Sequence, residues 1–306
     1  VDTGAVQYWF PIDLYVGGSE HAILPLVYSR FWSKVMRELG LVDVDEPVTR
    51  LVPQGMVHTD GEVLSKSKGQ TIAPDDVILR YGADTLRLYI LFAGPPELPM
   101  EWSESGIEGP HRFLLRVWRL ADRHAPAFAD GGRAPVPADL PAPARNLRRK
   151  VHQTIDKVTR DIEDRIQLNT AVAALMELVN EVYHLEAQVA GGPGQAVLHE
   201  ALETVILLLS PFTPHICEEM WSRLGHEESL VRAPWPAFDA EAAREDEVEL
   251  AVQVNGKVRA KILVAPEADE ETVATKAREA VAEQVKGKKV IKVVVVPGRL
   301  VSVVVK

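Results

Sequence analysis

The sequence predicts a multidomain chain: a parallel α/β segment over about residues 1–110, an all-α bundle over 111–240 and a small α+β module over 248–306. Three observations predict it. Short apolar strands alternate with a helical period in the first part, long helical periods broken by Pro and Gly fill the second, and an Asn-Gly hairpin opens the third. The chain has 306 residues, 46% hydrophobic and 25% charged, enough apolar material for two or three cores. No apolar run nears the roughly 18 residues that span a bilayer. The start, Val1-Asp2-Thr3-Gly4, has no basic or apolar leader pattern and reads as cut from something longer. The single Cys217 excludes an internal disulfide and a cysteine zinc cluster, so a reducing cytoplasm is expected, with neither membrane nor DNA as partner.

In the first part, Trp9 to Val16 reads as a buried strand closed by Gly17-Gly18. From Glu20 to Leu39 the apolar positions Ile23, Leu24, Val27, Phe31, Val35 and Leu39 keep helical spacing, and Gly40 is placed as the C-cap. Leu51-Val52 leads into Gln54-Gly55-Met56-Val57 as a second strand. Strand, glycine turn, helix and strand form a βαβ unit, one part of a Rossmann-type nucleotide-binding sheet. Glycines at a strand-to-helix turn let a ligand approach the backbone, where a helix N-terminus favours negative groups.

Asp60-Gly61 signals a hairpin turn, and Leu64-Ser65-Lys66-Ser67-Lys68-Gly69 follows. Alternating lysines and serines before a glycine offer point charges, hydroxyls and backbone freedom, which suits a transient grip on phosphates. Taken alone, such a hexamer is equally a solvated turn. Thr71 to Phe92 reads as two short helices broken at Gly82, and Glu101 to Gly109 as a connector.

The bundle begins with a helix from His111 to about Arg123, followed by a Pro/Ala/Gly-rich connection over His124–Ala144. Arg145 to Gln188 carries a long amphipathic period through Val151, Ile155, Val158, Ile162, Ile166, Val172, Leu175, Leu178, Val179 and Val182. Ala196 to Leu224 is helical with interruptions near Pro211 and Pro214.

In the last part, Glu249–Val254 and Lys257–Val264 flank Asn255-Gly256, then a helix over Pro266–Val285 and strands over Lys289–Val296 and Leu300–Val305 complete a ββαββ pattern. The whole chain has net charge −10, yet from Val248 to Lys306 eleven Lys/Arg face seven Asp/Glu, a net of +4. Lys257, Arg259 and Lys261 alternate along one strand and so share a face, with Lys288 and Lys289 at a nearby turn; these five are the candidate RNA-binding residues. The plainer reading is that they protect sheet edges.

Gln54-Gly55-Met56-Val57, the loop from Leu64 to Gly69 and Tyr81-Gly82-Ala83-Asp84-Thr85-Leu86-Arg87, in that order, resemble the second signature region of class I aminoacyl-tRNA synthetases. The match is to the leucyl-tRNA synthetase family, whose Gly-Gly-x-Glu-His segment is similar to Gly17-Gly18-Ser19-Glu20-His21. Leu168 to Glu177 and Leu209 to Trp221 resemble the family's anticodon-binding helices, and residues 248–306 its C-terminal module. The resemblance implies leucine, ATP with Mg2+ and tRNA-Leu as ligands, without protein-bound zinc. It implies that Lys66, supported by Ser65 and Lys68, meets the phosphates during reaction, and that ATP lies near Gly17, Gly18, Glu20, His21, Gly55, Met56, Val57 and Lys66. It places His21 in the amino-acid pocket as well.

Departures are Pro25 in place of a second pocket histidine, Val63-Leu64 where Lys-Met is usual, and Gln70 in place of a common Asn. The first signature, His-Ile-Gly-His, and an editing domain are not found in these residues. The expected function is that of the C-terminal part of a synthetase, working with an N-terminal half as truncation or natural subunit. The alternative is a tRNA-binding module without catalysis.

Overall fold

The computed structural model describes all residues except 1, 19, 20, 22, 65–71, 130–134, 246, 247, 266, 267, 288, 289, 297 and 298. Two compact units emerge, Val1–Asp239 and Ala240–Lys306. No helix among the described residues is long and apolar enough to cross a membrane.

The first unit opens with α1 (Thr3–Trp9), capped by Asp2, whose carboxylate accepts the Ala5 N–H at 3.1 Å. Strand β1 (Ile12–Gly18) follows, then a π-helical turn (Ile23–Tyr28) that runs into α2 (Ser29–Glu38), and β2 (Val48–Gln54) lies parallel to β1. The βαβ unit is therefore present, with two corrections. Trp9 ends a helix instead of starting the strand, because the Asp2 cap nucleates a helix over residues that also suit a strand. Nor is the strand buried: Ile12, Leu14 and Val16 are each more than 40% exposed, and so are Phe31 and Trp32 of α2. Periodicity marked an apolar face correctly, but nothing among the described residues covers it. Gly40 closes α2 with φ +69°, and the bonds Gly40 N–H to Arg37 O and Leu41 N–H to Met36 O, both 2.9 Å, form a Schellman end.

A second small sheet is ordered β4-β3-β5, from β3 (Val57–Thr59), β4 (Glu62–Val63) and β5 (Met100–Glu101), with β3 and β5 parallel. Gln54 to Val57 is thus not one strand, since the chain leaves the first sheet at Gly55 and enters the second at Val57. Gly55 makes that crossing possible. A Cβ there would lie 2.1 Å from the carbonyl oxygen of Leu98, and the Gly55 N–H donates to Pro96 O at 2.9 Å. Asp60-Gly61, at φ +53° and +76° between the paired Thr59 and Glu62, forms the expected two-residue hairpin turn.

α3 (Pro74–Tyr81) and α4 (Ala83–Phe92) meet at Gly82, as the sequence predicts. α5 (Glu104–Ala129) passes unbroken through residue 110, so the expected line between the first two parts falls inside a helix. α6 (Ala142–Arg160), α7 (Leu168–Val189), α8 (Gly192–Leu209) and α9 (Pro214–Arg223) complete the bundle. The long period over 145–188 divides at a π-helical turn, Asp161–Arg165, where the buried Asp161 accepts from Thr170 Oγ1 at 2.6 Å and is ion-paired with Lys157. Val151, Ile155, Val158, Val172, Leu175, Leu178, Val179 and Val182 are all buried in one core, which also takes in Leu88 of α4.

The second unit is a four-stranded sheet, order β7-β6-β9-β8, built from β6 (Val248–Val254), β7 (Lys257–Val264), β8 (Val290–Val296) and β9 (Leu300–Val305). α10 (Glu270–Ala280) and α11 (Ala282–Val285) intervene, so the ββαββ expectation holds. Leu250, Val252, Val301 and Val303 face Val273 and Ala277 of α10 in its core. Asp269 caps α10, and the Thr272 N–H bond at 2.7 Å holds its carboxyl below the usual range.

Gly55→Ala forces a Cβ into the Leu98 carbonyl. It is expected to destabilise the first unit by about 1–3 kcal/mol, read as a lower urea midpoint at unchanged slope.

Candidate functional site

Ligands of open parallel sheets enter at the carboxyl ends of the strands. The β1–β2 register sets Gly17 opposite Pro53 and Gly18 opposite Gln54, so both candidate glycines stand at that edge beside Gly55. His21 lies just beyond them and is exposed. At the other flank the Leu64 N–H donates to Val57 O at 2.9 Å, returning the hairpin to β3 just before the lysine loop begins. Glu20, Ser65, Lys66 and Lys68 lie outside the described residues, as do Lys288 and Lys289.

The backbone of Gly55–Val57 is largely engaged within the fold. Besides the Gly55 bond to Pro96, the Met56 carbonyl accepts Met100 N–H at 3.0 Å and the Val57 carbonyl accepts Leu64 N–H. Behind Gly55 sits a cavity of about 200 Å³ walled by Ile90, Leu91, Leu98 and Met100, so this crossing is also a packing junction.

In the second unit Lys257, Arg259 and Lys261 are exposed along β7, but they do not share one face as alternation predicts. The pairing with β6 shifts register between Val252 and Gln253, so Lys257 lies opposite the buried Val254 and Lys261 opposite the half-buried Ala251, while Ile262 and Val264 turn inward. Lys261 is partly committed, with Nζ 2.7 Å from a carboxylate oxygen of Glu249 on the neighbouring strand. β7 is an edge strand, so its charges also discourage edge pairing. Among the described residues no group of three His, Cys, Asp or Glu side chains could hold a metal ion. Cys217 is fully buried, and burial pushes its thiol up to about 12, which makes it a core residue and no nucleophile.

Comparison with known proteins bears on the whole span. Residues 1–103 match the family model for tRNA synthetases class I (I, L, M and V), and residues 144–274 that for the anticodon-binding domain of tRNA ligase. The leucine–tRNA ligase of Thioalkalivibrio sulfidiphilus is 53% identical over 98% of the chain, and that of Geobacter sp. strain M21 is 50% identical over 100%. The chain belongs to the leucyl-tRNA synthetase family. It spans only 36% and 37% of the length of those two relatives. A ternary LeuRS–tRNA–LeuAMS complex from Agrobacterium radiobacter K84 superposes with TM-score 0.84 at 32% identity, covering 97% of this chain and 38% of that one. The methionyl-tRNA synthetase of Mycobacterium tuberculosis, at 19% identity and TM-score 0.58 over 72% of this chain and 45% of its own, shares the fold.

Two segments that carried the family likeness turn out to be bonded to each other. Asp84 at the start of α4 is buried, and its carboxylate accepts the Ile216 N–H at 2.6 Å and contacts His215 Nδ1 at 2.8 Å. Ile216 is the third residue of α9, whose first-turn N–H groups have no partner within the helix. One turn along α4, Arg87 donates to the carbonyls of Phe212 and Pro211 at 3.1 and 2.9 Å. The helices that follow the lysine loop thereby grip the break between α8 and α9. Both segments stand out in the sequence, but the roles of Asp84, Arg87 and His215 do not. The available signal was a carboxylate and a guanidinium one turn apart beside a Pro-broken helix pair lacking side-chain caps of its own.

Asp84→Ala leaves the Ile216 N–H unpaired in a half-buried joint. A loss of about 1–3 kcal/mol in unfolding free energy is expected for the first unit, measured by urea denaturation.

Proposed function

We propose that this chain forms the C-terminal portion of a leucyl-tRNA synthetase and, with the N-terminal half of that enzyme, activates leucine with ATP and transfers it to tRNA-Leu in the cytoplasm. The supporting observation is 50–53% identity to leucine–tRNA ligases along essentially the whole chain, which nevertheless spans 36–37% of their length. The uncovered apolar side chains of β1 and α2 fit the same reading, because an edge of a parallel sheet needs the remaining strands to dry it.

In the proposed reaction the leucine carboxylate attacks the α-phosphorus of ATP, pyrophosphate leaves with its Mg2+, and the aminoacyl group passes to the tRNA 3′ end. Lys66, flanked by Ser65 and Lys68, meets the charge growing on the leaving phosphates, an interaction strongest in the transition state. Gly17 and Gly18 let ATP approach the sheet edge. Glu20 and His21 line the adjoining pocket for ATP and leucine, and Gly55, Met56 and Val57 border the adenosine. No protein-bound zinc enters the reaction. Lys257, Arg259, Lys261, Lys288 and Lys289 contact tRNA phosphates from the C-terminal module. The engaged backbone at Gly55–Val57 favours a second reading, a tRNA-binding subunit without catalysis.

The isolated chain is expected to show no leucine-dependent ATP–pyrophosphate exchange, and adding the N-terminal half is expected to restore it. Lys66→Ala then lowers the restored rate by about 10²–10³ with unchanged helical circular dichroism. A complemented enzyme indifferent to this substitution refutes the role of Lys66, and one that stays inactive while binding tRNA supports the second reading.

Removing residues 248–306 from the complemented enzyme is expected to weaken tRNA binding and flatten the slope of log K against log salt, sparing amino-acid activation. Unchanged affinity and slope leave the basic strand an edge guard only.

A further inference from the structure

The Asn255-Gly256 turn does more than reverse the chain. The parallel pairing of β6 with β9 runs from Ala251 opposite Leu300 to Val254 opposite Val303, and the Asn255 N–H extends it by donating to Val303 O at 3.1 Å. There the backbone turns away, with φ +47° at Asn255 and +81° at Gly256. The Asn255 side chain supplies the next rung. Its Nδ2 donates to Val305 O at 3.0 Å, and Val305 N–H donates to Oδ1 at 3.0 Å. An amide is the one side-chain group that offers a donor and an acceptor in this spacing, so it copies a backbone peptide. It holds the final residues of β9, an interior strand whose Val301, Val303 and Val305 are buried.

Asparagine before glycine is also the sequence most prone to lose its side-chain amide, because glycine has no Cβ to shield its nitrogen. The Gly256 backbone nitrogen, having given up its proton, attacks Asn255 Cγ. The bond from Cγ to Nδ2 breaks, ammonia leaves carrying that proton, and a succinimide ring remains. Water then adds to either ring carbonyl and opens it to aspartate or isoaspartate.

We infer that Asn255 is a latched deamidation site: the fold withholds it from this reaction, and opening of the last strand exposes it. Attack on Cγ requires the amide to swing off β9, which breaks both bonds to Val305. The product does not restore them. In aspartate the donating nitrogen has become an oxygen facing the Val305 carbonyl, so two acceptors oppose each other. Isoaspartate inserts a methylene into the main chain at the turn and disturbs the pairing of Val254 with Lys257. Each conversion is a permanent mark of an opening event and makes the next opening easier.

The test incubates the unaltered chain with and without denaturant at one mildly alkaline pH and temperature, and follows conversion of Asn255 by peptide mass spectrometry. Folded chain is expected to convert at least about tenfold more slowly, since the reaction must wait for opening. Equal rates overturn the latch. Independently, Asn255→Asp keeps a residue that tolerates the turn and reproduces the product. Amide hydrogen exchange at Val305 is expected to quicken about fivefold, the cost of one hydrogen bond, while Val252 and Val301 stay protected. Unchanged exchange at Val305 shows that the side-chain amide holds nothing.

Discussion

The carboxylate of Asp84 is the constraint on which the first unit depends. A buried carboxylate is tolerated only with partners, and those it has belong to a helix 131 and 132 residues away in sequence, through the His215 ring and the Ile216 N–H. α4 is consequently shared between two cores. Leu86 and Tyr89 pack with Val77 and Ile107 beneath the small sheet, while Leu88 enters the bundle. Apolar contact alone would let α4 slide or rotate between them, because burial has no direction. The Asp84 and Arg87 hydrogen bonds fix the helix in one register. Together with α5, which runs unbroken across the expected boundary, these bonds tie the helices following the lysine loop to the bundle within one compact unit.

Much of this was legible in the sequence because local chemistry decided it. Asp60-Gly61 and Asn255-Gly256 adopt the left-handed conformations their hairpins need, Gly82 separates two helices, and Gly40 ends one. Of the residues spaced along 151–182, eight fill the bundle core and Ile162 packs against it, whereas Ile166 ends the π-helical turn in a left-handed conformation outside it. The failures share a cause as well. A period tells which side of an element is apolar but not what lies against it, so the strand over Ile12–Val16 was expected buried and is open. The break at Gly55 depends on a backbone segment more than 40 residues later, which no local window contains.

The candidate site was legible in a different manner. The two glycines end the first sheet beside Gly55, and the two-residue hairpin of the second sheet returns the chain to Leu64, where the lysine loop begins. Their chemistry comes from residue type, whereas their placement comes from topology. Asp84 and Arg87 escaped notice for the converse reason. Each is an ordinary helix residue until the Pro211–Pro214 break is folded against it.

That joint also has a polarity. The turn leaving α8 presents carbonyl oxygens, and the first turn of α9 presents hydrogens; Arg87 answers the former and Asp84 the latter. An ordinary ion pair survives exchange of its two charges, since each partner merely takes the other's place. Here the partners are main-chain groups whose sign is set by the direction in which the chain runs. Exchanging Asp84 and Arg87 would aim negative charge at oxygen and positive charge at N–H, so the two charge reversals would compound instead of cancelling. The seam between the two halves of the unit is keyed by chain direction, and only one of the two arrangements of charge can close it.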